Sequence, residues 1–444
     1  MRPTAAGATD LAAAPAGSSS PSAAEAHATP DLRRFLVLSA QLGLLAVVFS
    51  LFNLESAGFG KLLVGVFGIF AVHYWVPFRF KEPLWILASM GGAFWVLDPL
   101  PAALVIATGF AFFLILRSPV ALVWRFLAIG AIFAMLAYSR VFTDRLPIPP
   151  AFYPVFGAIF MFRIVIYMYD LAHSSEPAQL LPFLSYFLIL PNFYFTLFPI
   201  IDFKTMRRSY YQRDIHEIAQ QGIQWMMRGA IQLILYRLVV YFKDPYLPDR
   251  VDSFPKLLLT MVLTYLTYIN VSGQFHFIVG MLHLFGYDLP ETNHKYLLAR
   301  SFTDFWRRAN IYWKDFMVKV IYFPVYFKLR KKGDKLAQVF AIIAVFAVTW
   351  ALHWYQSFWL VGPTTMSAND VLFYTILGLL VLINVLLETG RKRPKQAPTL
   401  GSRAIHAVQV LGVFTTVTIL WTFWSSPSIG AWYYLMTHWA RSHS

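Results

Sequence analysis

The sequence predicts an all-α polytopic membrane protein, with about eleven transmembrane helices and re-entrant or interfacial helices around a central tunnel. Three observations predict it. The 444 residues are 58% hydrophobic and only 13% charged, roughly half the charge of a soluble domain and too little polar surface to cover a soluble globule. Aromatics reach 18%. Apolar runs near the length of a membrane span, about 20 residues, recur along most of the chain. With 26 prolines and 24 glycines, some helices should be broken, and broken helices survive in lipid where they line a cavity or pack inside protein. There is no cysteine, which excludes disulfides, thiolate zinc sites and cysteine nucleophiles.

The formal charge of +15 first points to nucleic acid. The basic residues, however, fall in short clusters beside apolar segments instead of on one polar domain. That is the positive-inside pattern of membrane proteins, reinforced by anionic headgroups. The partner it implies is a lipid bilayer, with no nucleic acid.

Taken in order, residues 1–32 are a tail of Ala, Ser, Pro, Thr and Gly, expected to be disordered. Candidate spans follow near 35–52, 62–78, 84–97, 102–116, 120–137, 152–169, 180–201, 223–242, 257–285, 336–361, 371–387 and 404–424, with a short piece at 432–439. The first is long enough to remain as an anchor. Some are too short to cross untilted. The chain divides into the tail (1–32), N-terminal transmembrane helices (33–178), a core (179–362) and C-terminal transmembrane helices (363–444). Three basic clusters, Lys204/Arg207/Arg208/Arg213, Lys328/Arg330/Lys331/Lys332/Lys335 and Arg391/Lys392/Arg393/Lys395, are separated by even numbers of spans. All three are therefore expected on one side, the cytoplasm.

Four stretches carry polar residues of interest. Between Ser301 and Val320, apolar residues recur at Phe302, Phe305, Trp306, Ala309, Trp313, Phe316, Met317 and Val320, a helical stripe. Ser301 with Asp304 has the form of a capping box. The opposite face holds Asp304, Arg307, Arg308, Lys314 and Asp315, so an interfacial or partly re-entrant helix is expected, with Asn310 on its shoulder near Trp306 and Trp313. The plainer reading is a surface amphipathic helix. The span 336–361 is apolar except for Gln338, Thr349, His353, Gln356 and Ser357. His353 lies about 25 Å along the helix from Lys335, deep in the membrane, where an imidazole is a functional candidate or else a hydrogen-bonded link between helices. Between Tyr268 and Gly286, Asn270, Ser272, Gly273, Gln274, His276 and His283 interrupt an apolar run, pointing to a kink against a cavity. His276 and His283 share a face, but the segment has no carboxylate beside them, so no metal site is expected. Asp214-Ile215-His216-Glu217 reads as a solvated helix start. Phosphate loops, nucleophile elbows and zinc-protease motifs are absent from the sequence.

The residues Tyr268-Ile269-Asn270-Val271-Ser272-Gly273, then Leu284-Phe285-Gly286-Tyr287-Asp288-Leu289-Pro290-Glu291-Thr292-Asn293, then Tyr296-Leu297-Leu298-Ala299-Arg300-Ser301-Phe302-Thr303-Asp304-Phe305-Trp306-Arg307-Arg308 resemble the central region of the membrane-bound O-acyltransferases. The nearest branch is the bacterial one that acetylates alginate and other exported polysaccharides or D-alanylates teichoic acids. Leu190-Pro191-Asn192-Phe193-Tyr194 through Pro199-Ile200 resembles its paired-proline segment. The likeness covers about residues 180–360; the N-terminal half is similar only as a set of apolar spans. The resemblance implies a bacterial inner-membrane enzyme with His353 and Asn310 as its catalytic pair. It also implies a substrate-binding surface, to which Trp306, Arg307, Arg308, Trp313, Ser272, Gln274 and His276 are assigned. The branch carries Trp where Ala309 stands and Trp-His-Gly where this chain reads Leu352-His353-Trp354.

On that reading His353 is the general base, since imidazole is the side chain suited to the task near neutral pH, and Asn310 orients the thioester or donates to the oxyanion. The donor is acyl-CoA or another acyl thioester, used as substrate with no bound cofactor. Arg307, Arg308, Lys328, Arg330 and Lys331 are candidates to meet its phosphates, or else serve topology alone. The acceptor is a hydroxyl on an exported polysaccharide or other envelope component, reached through a separate periplasmic acyltransferase partner in related systems. Two rival readings remain: a transporter or flippase whose path His353 and Ser272 line, and a catalytically inactive scaffold. Neither inverted repeats nor an intramembrane carboxylate, the common marks of a transporter, stands out in the sequence.

Overall fold

A computed structural model of the chain describes residues 21–52, 57–142, 147–243, 250–364, 366–388 and 400–441. Among these residues the regular structure is helical, and the one isolated bridge pairs Tyr210 with Tyr287. The protein is an all-α polytopic membrane protein. Nine helical stretches are long and apolar enough to cross a bilayer among the described residues. The N-terminal set is α1 (Pro21–His27), α2 (Leu32–Phe52), α3 (Ala57–Trp75), α4 (Phe78–Val96), α5 (Pro99–Arg117) and α6 (Leu122–Val141). The broken helices α7 (Phe152–Phe160), α8 (Arg163–Ala172), α9 (Leu180–Phe187), α10 (Leu190–Tyr194) and α11 (Phe203–Arg208) follow. Then come α12 (Ile215–Lys243), α13 (Phe254–Leu266), α14 (Ile269–His283), α15 (Phe302–Ala309), α16 (Ile311–Met317) and α17 (Phe323–Leu329). The chain closes with α18 (Asp334–Leu360), α19 (Ala368–Glu388), α20 (Leu400–Ser425) and α21 (Ile429–Arg441).

Three of the expected spans fall outside those nine: 84–97, 180–201 and 223–242. α4 is 19 residues long but starts with Arg79, Lys81 and Glu82. α12 is 29 residues long but carries Gln220, Gln221, Gln224 and Arg228 in its first half. Of the two spans expected between the first two basic clusters, the stretch α13–α14 is among the nine and α12 is not. The third cluster, Arg391 to Lys395, lies outside the described residues.

Several elements differ from their sequence expectations. The tail was expected to lack structure as far as residue 32; residues 1–20 lie outside the described residues, while 21–27 form α1. Ala is the best helix former and Pro suits a first turn, and Ala24 and Ala28 pack on Tyr211 and Ile215. His216 does not sit in solvent. It is 8% exposed, with Nδ1 3.2 Å from the Tyr74 hydroxyl. The stretch 180–201 is not one span: α9 and α10 are separate short helices, interrupted where Pro191 enters the first turn of α10. Apart from the exposed Leu180 and Leu181 at the start of α9, both are packed largely inside protein, as broken helices in lipid require.

α12 and α14 pack closely along their lengths. A Cβ on Gly222 would meet the Gly280 carbonyl oxygen at 2.6 Å, and one on Gly229 would meet the Gly273 oxygen at 2.7 Å. Small residues thus let two backbones approach, as in small-xxx-small membrane packing. This also explains Gly273, which the sequence marks as part of a kink. The break lies one turn earlier, at Thr267 and Tyr268 between α13 and α14, and Ser272-Gly273-Gln274 is regular helix.

Candidate active site

α18 is a run of Ala, Val, Ile and Phe whose start is set by Gly333 at φ 132, a conformation that favours glycine. Five turns along, it presents His353. The imidazole Nδ1 lies 2.9 Å from the Thr349 carbonyl oxygen. A carbonyl only accepts, so Nδ1 carries a proton, and in the neutral ring Nε2 holds the free lone pair. Trp313 lies edge-on to the ring at 4.7 Å, and Tyr374 is 5.1 Å away on the other helix. Trp313 is in turn tied to α18, its Nε1 3.4 Å from the Thr349 hydroxyl.

Asn310 is not on the shoulder of one long amphipathic helix. The segment 302–317 is two helices, and Asn310 is the extended residue between them, at φ −148 and ψ 94. Its Oδ1 accepts from Trp313 N at 3.0 Å, making it the N-cap of α16, a position Asn favours over a helix interior. The free carbonyls and amides at the break are matched elsewhere. Tyr268 Oη donates to the Ala309 oxygen at 2.8 Å, as does Asn293 Nδ2. His294 N donates to the Arg308 oxygen at 3.0 Å, and Ile311 N to the Thr292 oxygen at 2.9 Å. With Oδ1 engaged, the Asn310 amide nitrogen is left as a donor. Half of the capping box forms at the start of α15: Asp304 N donates to Ser301 Oγ at 3.1 Å, while the Asp304 carboxylate accepts from Arg300 N at 3.1 Å.

His353, Asn310, Trp306 and Trp313 line one cavity of about 420 Å³. Where the sequence predicts a tunnel, the described residues enclose this cavity. Its exposed lining residues are Trp354, Val361 and Thr364, all at the end of α18 remote from Lys335. Phe198, Ile200 and Phe305 are among its buried lining residues. The walls are mostly aromatic, the composition expected of a ligand pocket with a few convergent polar groups.

The remaining predicted residues lie elsewhere. Because α14 is unbroken at Ser272, that residue and His276 face α12: Gln232 Nε2 donates to Ser272 Oγ at 3.1 Å, and Gln232 Oε1 lies 2.9 Å from His276 Nδ1. Gln274 pairs with Asn270 on the same helix at 3.4 Å. Arg308 is held by Asp304 at 2.7 Å, and Arg307 is exposed on α15; neither lines the cavity. Lys328, Arg330 and Lys331 are exposed in and just after α17.

The two buried histidines of α14 do have carboxylates near them, supplied by the loop that follows. His276 Nε2 is 3.9 Å from Glu291, and His283 Nε2 is 3.8 Å from Asp288. Glu291 also meets Arg228 at 2.6 Å and His294 at 2.7 Å. Partial burial raises its pKa, but the contacts with His276, His294 and Arg228 outweigh this and hold it at about 2. Asp288 is clamped by Arg213 through two bonds of 2.6 Å. Among the described residues no group of three or more His, Asp or Glu is placed to hold a metal ion.

Among the cavity residues that sequence reasoning missed are Asp370, Tyr374, Trp421 and Trp424. A signal existed for Asp370, since Ser367 and Asp370 have capping-box spacing and fix the start of α19 at residue 368. None distinguishes an inward tryptophan from a lipid-facing one on helices already apolar all round.

No protein-family model matches the chain, and no curated protein matches it.

Proposed function

We propose that the protein is a membrane-embedded O-acyltransferase that moves an acyl group, acetyl by resemblance, from a thioester to a hydroxyl acceptor of the cell envelope. The observation that carries the reading is the convergence of His353 and Asn310 on one cavity, although 43 positions separate them in the chain. The resemblance of residues 180–360 to membrane-bound O-acyltransferases supports it, as does the orientation of each side chain.

In the proposed reaction the acceptor O–H gives its proton to His353 Nε2 while the oxygen attacks the acyl carbonyl carbon. Asn310 Nδ2 donates to the developing oxyanion, a contribution commonly worth about 3 kcal/mol. Collapse breaks the carbon–sulfur bond, and the thiolate leaves with the proton returned by the imidazolium. Products are the ester and the free thiol. The Thr349 carbonyl, accepting from Nδ1–H, fixes the tautomer the base requires.

The test is acyl transfer by the purified protein. Free thiol should appear from acetyl-CoA only when a hydroxyl acceptor is present, with the ester recovered in equal amount.

The transporter reading gains one observation, the carboxylate of Asp370 on the cavity wall, since intramembrane carboxylates commonly mark transport paths. Uptake of an acceptor into proteoliposomes without ester formation would favour it over acyl transfer.

A further inference from the structure

The outer part of the cavity sets one carboxylate among aromatic faces. Asp370 sits in the first turn of α19 and lines the cavity. Its Oδ1 accepts from Trp424 Nε1 at 2.7 Å; its Oδ2 accepts from Ser367 Oγ at 2.6 Å and from Ser367 N at 3.2 Å. All three donors are neutral, and among the described residues no lysine, arginine or histidine forms an ion pair with it. Helix capping explains the Ser367 bonds. It does not explain why the carboxylate is turned to a cavity walled by Trp306, Trp313, Trp350, Trp354, Trp421 and Trp424.

Near Asp370 the rings form a corner. Trp421 and Trp424 meet edge to face at 5.1 Å, and Phe373 stacks on Trp424 at 4.8 Å. Tyr374, which touches His353 at 5.1 Å, lies 6.0 Å from Trp424. Aromatic faces carry negative potential and attract cations, most strongly for tryptophan. A carboxylate within the same apolar lobe adds a full negative charge, and no basic side chain lines the cavity except the imidazole of His353. A neutral ligand would leave that half-buried charge without a counter-ion. An ammonium group compensates it and gains the ring faces as well.

We propose that the outer lobe binds a ligand bearing an ammonium group, with Asp370 as counter-ion and Trp421, Trp424 and Trp354 as its aromatic walls. Resting on the acyl-transfer reading, that ligand is the acceptor, an amino sugar with a free amine whose hydroxyl is turned toward His353. Tyr374 spans the two subsites and sets the distance between amine and hydroxyl.

Calorimetric titration of the purified full chain in detergent, with glucosamine and with glucose as its neutral counterpart, tests this directly. Glucosamine should bind about tenfold tighter or better, as expected for a desolvated cation on tryptophan. The Asp370→Asn variant should lose that preference. Trp424→Leu should reduce it, and serves as the second variant if Asp370→Asn does not fold. Equal affinity of the wild-type protein for the two sugars overturns the proposal, as does a preference unchanged in Asp370→Asn. Binding needs no turnover, so a missing ammonium site and a missing acyl transfer show in separate measurements.

Discussion

Trp313 holds its indole edge-on to the imidazole of His353, with ring centres 4.7 Å apart. The same residue donates its backbone N–H to Asn310 at 3.0 Å and its indole N–H to Thr349 at 3.4 Å. One tryptophan therefore couples the cap of α16, the candidate base on α18 and the carbonyl register that fixes the tautomer of that base. On the acyl-transfer reading Trp313 is a positioning residue. Trp313→Phe keeps a ring against His353 but loses the indole hydrogen bond. Initial rates should fall by about tenfold with little change in donor KM, because the loss is of orientation and not of binding.

Asn310 has two tasks that substitution can separate. Asn310→Asp preserves an oxygen for the Trp313 N–H, so α16 should remain capped and thermal stability nearly unchanged. It removes the amide donor, so acyl transfer should fall by about 10²-fold or more. Asn310→Ala loses both, and should also cost roughly 1 kcal/mol of stability. Parallel melting curves and thiol-release rates for the two variants check this; equal activity in wild type and Asn310→Asp would remove Asn310 from the chemistry.

The α12–α14 contact is close and leaves no room for a side chain at Gly222. Gly222→Ala would place a methyl 2.5 Å from His283 Cβ and 2.6 Å from the Gly280 oxygen. Overpacking of this kind typically costs about 1–3 kcal/mol, so the thermal midpoint in detergent should drop by several degrees. Gly130→Ala, where nothing lies within 4 Å, should leave it unchanged.

Glu291 links stability to acid. Its pKa is held at about 2 in the folded chain, below the ordinary 4.5, by His276, His294 and Arg228 acting against partial burial. A depressed carboxylate stabilises the fold above its ordinary pKa and loses that contribution as pH falls through the folded value. The wild-type melting temperature should therefore decline between about pH 4.5 and pH 2, and Glu291→Gln should flatten that portion of the curve. Melting temperatures measured across this range check the sign.

Much of this architecture is legible in the sequence, because lipid imposes a length and a composition on every span. The runs at 336–361 and 371–387 reappear as α18 and α19 with ends shifted by a few residues. His353 was visible as a lone imidazole in an apolar run, and Asn310 as an amide beside two tryptophans. The helix break at Asn310 is hidden, since the apolar stripe continues in register through it and most of its partners, Tyr268, Thr292, Asn293 and His294, are remote in the chain. Ser272, Gln274 and His276 looked like a cavity lining because polarity in a span marks either a cavity or a helix contact. Here Ser272 and His276 meet Gln232, and Gln274 pairs with Asn270 on its own helix. Glu291 and Asp288 were invisible as partners of His276 and His283, because a loop fold-back of that kind leaves no periodicity to read.

The acyl-transfer account rests on the free nitrogen of one imidazole. The rate of thiol release from acetyl-CoA in the presence of a hydroxyl acceptor, compared between the wild-type protein and a folded His353→Ala variant, tests it most directly. The account predicts a loss of at least about 10²-fold with the melting temperature retained within a few degrees. Undiminished release in the variant would contradict it.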